Sequence, residues 1–480
     1  VYGLLGPLTE ELGTVRLGQT PPDVTVLGGV NCGSFGTSLL LADLNADGYD
    51  DLLIGDPGAT PGTQSGAGQV TVLFGRANPP ANWTVDFNYV DPDLTLYADV
   101  QYANLGQVMA VGDYDGDGFT DLACSVMAYY ERSRVLIVRG PFDDPSGTVR
   151  DFLVDPPDLT LISPTDGSGF GMYYILADID GDGKDDLVSE AVPMVWSKWD
   201  QPLLAIVFGE TVSGPTVRDL ETDPPEVTVR SGAGQNVPGD IAAIAAADLN
   251  GDDAPELIFS DYWMQVQSHT KGAVLAIDNA RLTAGAAIDL TTSPADKAII
   301  GQGQSSYFGR SFSVANTPAG PVMAAGADSA SYGKANWCGA VYQLGPTQLA
   351  AETVVLDNIE PDELYYGTSE SYSLGESVLL LDLDGDALGE VVAGAFGPYL
   401  IASNGVVHIF FDRFDLNETD DDTIDDDTID DDDTIDDDVV DDDVTDDDTD
   451  DDDTDDDDDD VDVDDDDDDN DNNDDDGCGC

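Results

Sequence analysis

Through the first 412 positions the apolar residues fall in short runs rich in Val, Leu, Ile and Ala, separated by clusters of Gly, Pro, Asp and Asn. Runs of that length between turn-forming residues predict β-strands, and helical periodicity is almost absent. The runs recur in a fixed order. Each unit opens on a Phe-Gly-like pair: Phe35-Gly36, Leu105-Gly106, Phe170-Gly171, Pro238-Gly239, Phe308-Gly309 and Leu374-Gly375. An apolar strand, an acidic loop, a second strand such as Leu122 to Val126, a variable loop and a third strand follow. Third strands are expected at Gln69 to Phe74, Val135 to Val138, Leu203 to Phe208, Ala273 to Ile277, Ala340 to Leu344 and Val406 to Phe411. Short fourth strands close the units, as at Val24 to Leu27, Leu94 to Tyr97, Leu159 to Ile162 and Val227 to Arg230.

The acidic loops begin at Asp43, Asp113, Asp178, Asp248 and Asp382, with steps of 70, 65, 70 and 134 residues. The last step is two periods, so a unit whose loop has lost its carboxylates lies between. A four-stranded unit repeated at this period predicts an all-β fold, a β-propeller of six to seven four-stranded blades. The expected repeats are 1–28 (partial), 34–97, 105–162, 170–230, 238–300, 308–367 and 374–412. Val1 to Pro7 reads as a third strand, so the chain is expected to start within a blade and to be a fragment. Either Val24 to Leu27 completes the last sheet of a six-bladed ring, or the ring has seven blades; seven is the preferred reading.

Each acidic loop places oxygen ligands at positions one, three, five and nine, with a carbonyl expected from position seven. The sets are Asp43, Asn45, Asp47, Tyr49, Asp51; Asp113, Asp115, Asp117, Phe119, Asp121; Asp178, Asp180, Asp182, Lys184, Asp186; Asp248, Asn250, Asp252, Ala254, Glu256; and Asp382, Asp384, Asp386, Leu388, Glu390. Alternate side chains of a tight loop converge on one point, and hard oxygen donors in a flexible loop select Ca2+. A helical calcium hand would need Glu at position twelve, which holds Ile54, Cys124, Ser189, Phe259 and Ala393; a hairpin loop is expected instead. Gly48, Gly118 and Gly183 supply the left-handed turn, whereas Asp253 and Ala387 suit it less well. The first three sites are therefore expected to bind best and the Asp382 site least.

The formal net charge is -83, and 41 of the 99 acidic residues lie from Glu418 onward, where no basic residue occurs. Such a field disfavours nucleic acid and anionic lipid as partners and favours cations. No run of apolar residues is long enough for a membrane span, and a monomer is expected. Residues 413–476 are expected to be a disordered Asp-rich spacer, because no core can form there. Gly477-Cys478-Gly479-Cys480 resembles the Gly-Cys pair of bacterial surface-sorting tails, with a metal-binding Cys-x-Cys or a truncated end as alternatives. The five cysteines are too sparse for a disulfide scaffold. His269 and His408 are the only histidines, and no nucleophile elbow, zinc motif or phosphate loop accompanies them.

The order Phe-Gly, strand, Asp-x-Asp/Asn-x-Asp-Gly-x-x-Asp, strand, Gly-Ala-Pro-like turn resembles the FG-GAP repeat of integrin alpha-subunit propellers. Ile54 to Ala59 and Ala393 to Pro398 match the family turn, whereas Cys124 to Val126 and Phe259 to Asp261 depart from it. The resemblance implies calcium loops on one face and ligand-binding loops on the other. Those second loops carry Tyr129, Tyr130, Trp196, Trp199, Tyr262, Trp263, Tyr332, Trp337 and Tyr399, expected to bind an extracellular protein or glycan. The alternatives are rings packed between blades, and the propeller portion of a secreted polysaccharide lyase or phospholipase.

Overall fold

The computed structural model describes residues 1–410 apart from 5–21, 31, 128–131, 165–168, 192–202, 231–240, 267–268, 304–305, 318–319, 333–334, 368–371, 382, 384–389 and 396–405. The Asp-rich spacer and the terminal cysteines therefore lie outside the described residues.

Seven blade sheets succeed one another along the chain. The second blade is typical: Leu39–Ala42, Asp51–Asp56, Gln69–Leu73 and Leu94–Tyr97 pair antiparallel in that order, so each acidic loop is the hairpin between an inner strand and its neighbour. The third blade repeats this with Met109–Gly112, Asp121–Val126, Arg134–Val138 and Leu159–Ile162. Val24–Leu27 pairs with Tyr2–Gly3 and with Trp83–Asp86, in a sheet separate from that of Val406–Phe410. The ring is seven-bladed.

A further strand, unforeseen from the sequence, is added to five of these sheets, as the third strand of the first and the fifth strand of the next four. The connection between third and fourth strands of one blade lays a short strap, in parallel, on the outer strand of the preceding blade. Trp83–Asp86 lies on Val24–Leu27, Thr148–Asp151 on Leu94–Tyr97 and Thr216–Asp219 on Leu159–Ile162. Ala287–Asp289 lies likewise on Val227–Arg230 and Thr353–Val355 on Lys297–Ile300, one and two blades later. Four straps end on an Asp whose Oδ1 accepts the N–H two residues on: Asp86 from Asn88 (2.9 Å), Asp151 from Leu153 (3.0 Å), Asp219 from Glu221 (3.0 Å) and Asp289 from Thr291 (2.9 Å). That Asx turn stops the strand and reverses the chain toward the fourth strand.

The middle strands are buried on both faces, which is why they read as continuous apolar runs. In Arg134–Val138, Leu136 and Val138 pack toward the second blade, with Leu53, Val70 and Val72. Val135 and Ile137 point the other way, toward Leu187, Ala205 and Val207 of the fourth blade. Period-two alternation thus builds two cores from one strand, each buried aliphatic contributing about 1.5–3 kcal/mol. The Phe-Gly glycine serves the same interface. Gly106, at φ +87°, lies so close to Gly55 of the preceding blade that a Cβ on Gly106 would stand 2.9 Å from the Gly55 Cα.

Candidate metal centre and loop face

Position one caps its own loop. Asp113 Oδ1 accepts the N–H groups of Gly116 (2.8 Å) and Asp117 (3.0 Å), and Oδ2 that of Gly118 (2.8 Å). Asp178 repeats this with Gly181, Asp182 and Gly183, and Asp43 and Asp248 make the equivalent bonds to Gly48 and Asp253. Position five in turn accepts the position-seven amide: Asp47 from Tyr49, Asp117 from Phe119, Asp182 from Lys184 and Asp252 from Ala254, at 2.9 to 3.0 Å. In the four described loops the sixth residue is left-handed, with Gly48, Gly118 and Gly183 at φ +86° to +87° and Asp253 at +69°.

Position nine does more than the spacing suggested. Asp51, Asp121, Asp186, Glu256 and Glu390 are all buried. One oxygen accepts the position-two amide: Leu44, Tyr114 and Ile179 at 3.0 Å, Leu249 at 2.6 Å, and Leu383 likewise. In three blades the other oxygen reaches across to the chain leaving the third strand, at Gly75 (2.8 Å), Gly140 (2.9 Å) and Gly209 (2.8 Å). Burial pushes the Asp121 and Asp186 carboxyls up to about 7, against these backbone bonds.

Oxygens of Asp113, Asp115 and Asp121 all lie within 4.8 Å of one another, as do those of Asp178, Asp180 and Asp186. These all-oxygen sets fit a hard cation in donor type and in convergence. Among the described residues, Asp43, Asp47 and Asp51 do not reach this mutual distance. In the fourth loop the converging set is Asp252, Glu256 and Asp278, without Asp248. Asp278 follows the third strand of its blade and was invisible to a reading confined to loop spacing. Asp382, Asp384, Asp386 and Leu388 lie outside the described residues.

The variable loops leave the opposite end of the second strand. Among their aromatics, Tyr129, Tyr130, Trp196, Trp199 and Tyr399 lie outside the described residues. Tyr262 and Trp263 cluster with Tyr307, the Trp263 and Tyr307 rings 4.9 Å apart, and the Arg310 guanidinium stands 5.0 Å from the Tyr262 ring. Tyr332 and Trp337 are 61% and 59% exposed, and Tyr332 stacks on Tyr366 at 4.1 Å. Trp337 (φ +52°) and Tyr307 (φ +53°) hold left-handed backbone that bulky residues rarely adopt.

The FG-GAP repeat family profile matches residues 35–73 and 105–148, the core of the second and third blades. The chain carries FG-GAP repeats on a seven-bladed propeller. Integrin alpha-3 of Mus musculus is 34% identical to it over 100 residues, covering 20% of this propeller chain and 9% of the integrin. Phosphatidylinositol-glycan-specific phospholipase D is similar too. The Rattus norvegicus protein is 31% identical over 149 residues, 31% of this chain and 17% of that one, and the Homo sapiens protein 28% over 188 residues, 39% and 21%. The matches to the FG-GAP propeller thus span about a fifth or less of these relatives' own length. No helix among its described residues is long and apolar enough to cross a membrane.

Proposed function

We propose that this chain is a calcium-stabilised recognition module that works outside the cell or on its surface. The observation that supports it best is the convergence of the same three carboxylate positions at the same hairpin of the third and fourth blades, within a loop pattern that recurs five times along the chain. Calcium bound there would neutralise carboxylates that otherwise repel one another, by about 4 kcal/mol per close pair at an effective dielectric of 20. Loops without a position-twelve Glu suit millimolar calcium, which points outside the cell. At the other end of the sheets the half-exposed aromatics around Trp263 and Trp337 offer rigid contact area to a protein or glycan partner.

A second reading has its own support. The similarity to phosphatidylinositol-glycan-specific phospholipase D favours a propeller that serves a secreted hydrolase, with the chemistry carried elsewhere. Thermal unfolding of residues 1–416 with calcium and with chelator, beside the metal content of the purified protein, tests the calcium reading. A calcium-dependent rise with about five ions per chain is expected from five oxygen loops. No rise and no metal would sink it.

A further inference from the structure

The residue that follows the third strand stands on a backbone held the same way in four blades. A carboxylate just ahead of the fourth strand accepts its N–H: Asp93 from Phe74 (2.9 Å), Asp158 from Arg139 (2.9 Å), Glu226 from Phe208 (3.1 Å) and Asp296 from Asp278 (3.0 Å). In the first three of these blades the very next amide bonds the position-nine carboxylate of the blade's own acidic loop. The backbone is common to all four. What varies is the side chain delivered beside the cage: Phe, Arg, Phe, Asp.

The two charged versions act on the loop in opposite senses. Arg139 Nε meets Asp115 Oδ2, and its Nη2 lies 2.7 Å from Asp117 Oδ2, so a guanidinium holds positions three and five together. Asp278 instead brings a further carboxylate to Asp252 and Glu256. Its Oδ1 also accepts the Ala280 N–H at 2.9 Å, which fixes the carboxylate plane.

We propose that this single position tunes how each blade takes a divalent cation. Arg139 is a tethered cation that competes with calcium in the Asp113 loop, and Asp278 is an additional ligand of the Asp248 loop. The proposal rests on the calcium reading above. To enter the Asp113 cage an ion must displace a guanidinium held by charge-assisted bonds, so this loop keeps its shape without calcium and binds it weakly. The Asp178 loop, whose blade carries Phe208, faces no such competitor from that position, and its own Lys184 Nζ, 2.7 Å from Asp182 Oδ2, engages one carboxylate where Arg139 engages two. The affinity order therefore departs from the one that turn glycines alone predict. The Asp113 loop falls below the Asp178 loop, and the Asp248 loop rises despite Asp253.

Hydrogen exchange read by mass spectrometry on the full chain, titrated with calcium alone, resolves the loops by peptide. Arg139→Phe should move the protection midpoint of residues 113–121 to about tenfold lower calcium, and Phe208→Arg should move that of 178–186 up by about as much. Asp278→Asn should raise the midpoint of 248–256 about tenfold. Arg139→Gln is the second variant at that site, should the phenylalanine impair folding. Midpoints unmoved in variants whose wild-type loops do respond would overturn the tuning proposal alone. Wild-type loops indifferent to calcium up to about 10 mM, above the range of extracellular calcium modules, would overturn the calcium reading beneath it.

Discussion

The position-nine carboxylate separates the structural role of the acidic loops from their role toward a cation. Asp186 is fully buried, and its oxygens accept Ile179 N–H at 3.0 Å and Gly209 N–H at 2.8 Å. Asp186→Asn keeps one acceptor and turns an amide NH2 toward the other N–H. A charge-assisted bond, about 1.5–3 kcal/mol, is lost and a buried donor faces a donor, while relief of a poorly solvated charge returns part of this; about 2 kcal/mol is the expected net loss. Asp180→Asn is the control, because its main internal bond is one amide, Asp182 N–H at 3.1 Å, and Asn45 and Asn250 already stand at that position in other loops. The assay is urea unfolding at pH 8, where Asp186 is ionised, in chelator and in calcium. Asp186→Asn should be destabilised in both conditions and Asp180→Asn in calcium only. If Asp186→Asn matched the parent in chelator, the carboxylate would be a ligand and nothing more, and the argument from its backbone bonds would fail.

Three further outcomes follow from the geometry. Gly106→Ala would put a Cβ 2.4 Å from the Gln69 carbonyl oxygen and should cost about 3 kcal/mol, against about 1–2 for Gly118→Ala, which has the same handedness and nothing within 4 Å; equal losses in thermal unfolding would deny the close inter-blade approach any weight. Trp337→Asn should raise the melting temperature slightly, by about 0.5–1 kcal/mol of relieved backbone strain, and a fall would make the ring a packing element. Asp328 is pushed up to about 6 by burial and by the Glu376 charge, so its contribution to stability is full below about pH 4 and is lost as pH rises through 6. Asp328→Asn should then match the parent at pH 4 and exceed it by about 2 kcal/mol at pH 8, and parallel pH profiles would refute the assignment.

The acidic loops and opening pairs revealed the propeller because each is local: a turn, its glycine and the flanking strands lie within about twenty residues, and repetition did the rest. The straps escaped because their hydrogen-bond partners are remote. Thr148–Asp151 pairs in parallel with Leu94–Tyr97, and such a short, half-polar run reads as part of a long connection. A signal was present. Thr-Val-Arg-Asp occurs at both 148–151 and 216–219, each followed after four intervening residues by Pro-Pro. Arg139 and Asp278 escaped for a related reason, since the third strand carries each back to a loop about twenty residues earlier in the chain. Burial of position nine escaped as well, because spacing alone treats all carboxylates of a loop as alike.

These particulars bear on what calcium is for. Neighbouring blades are fastened at two radii away from the acidic loops, by the Phe-Gly contacts near the inner strands and by straps on the outer ones, in addition to the bonds that Asp113 and Asp185 exchange between adjacent acidic loops. In three blades the position-nine carboxylate ties the loop to its own third strand without help from an ion. Removing calcium should therefore soften the loops long before it separates the blades. Hydrogen exchange in chelator should lose protection at residues 178–186 while the straps at 148–151 and 216–219 keep theirs. Simultaneous loss in loops and straps would mean that the cation carries the ring itself, and the fastening inferred from the strand pairing would be too weak to hold it.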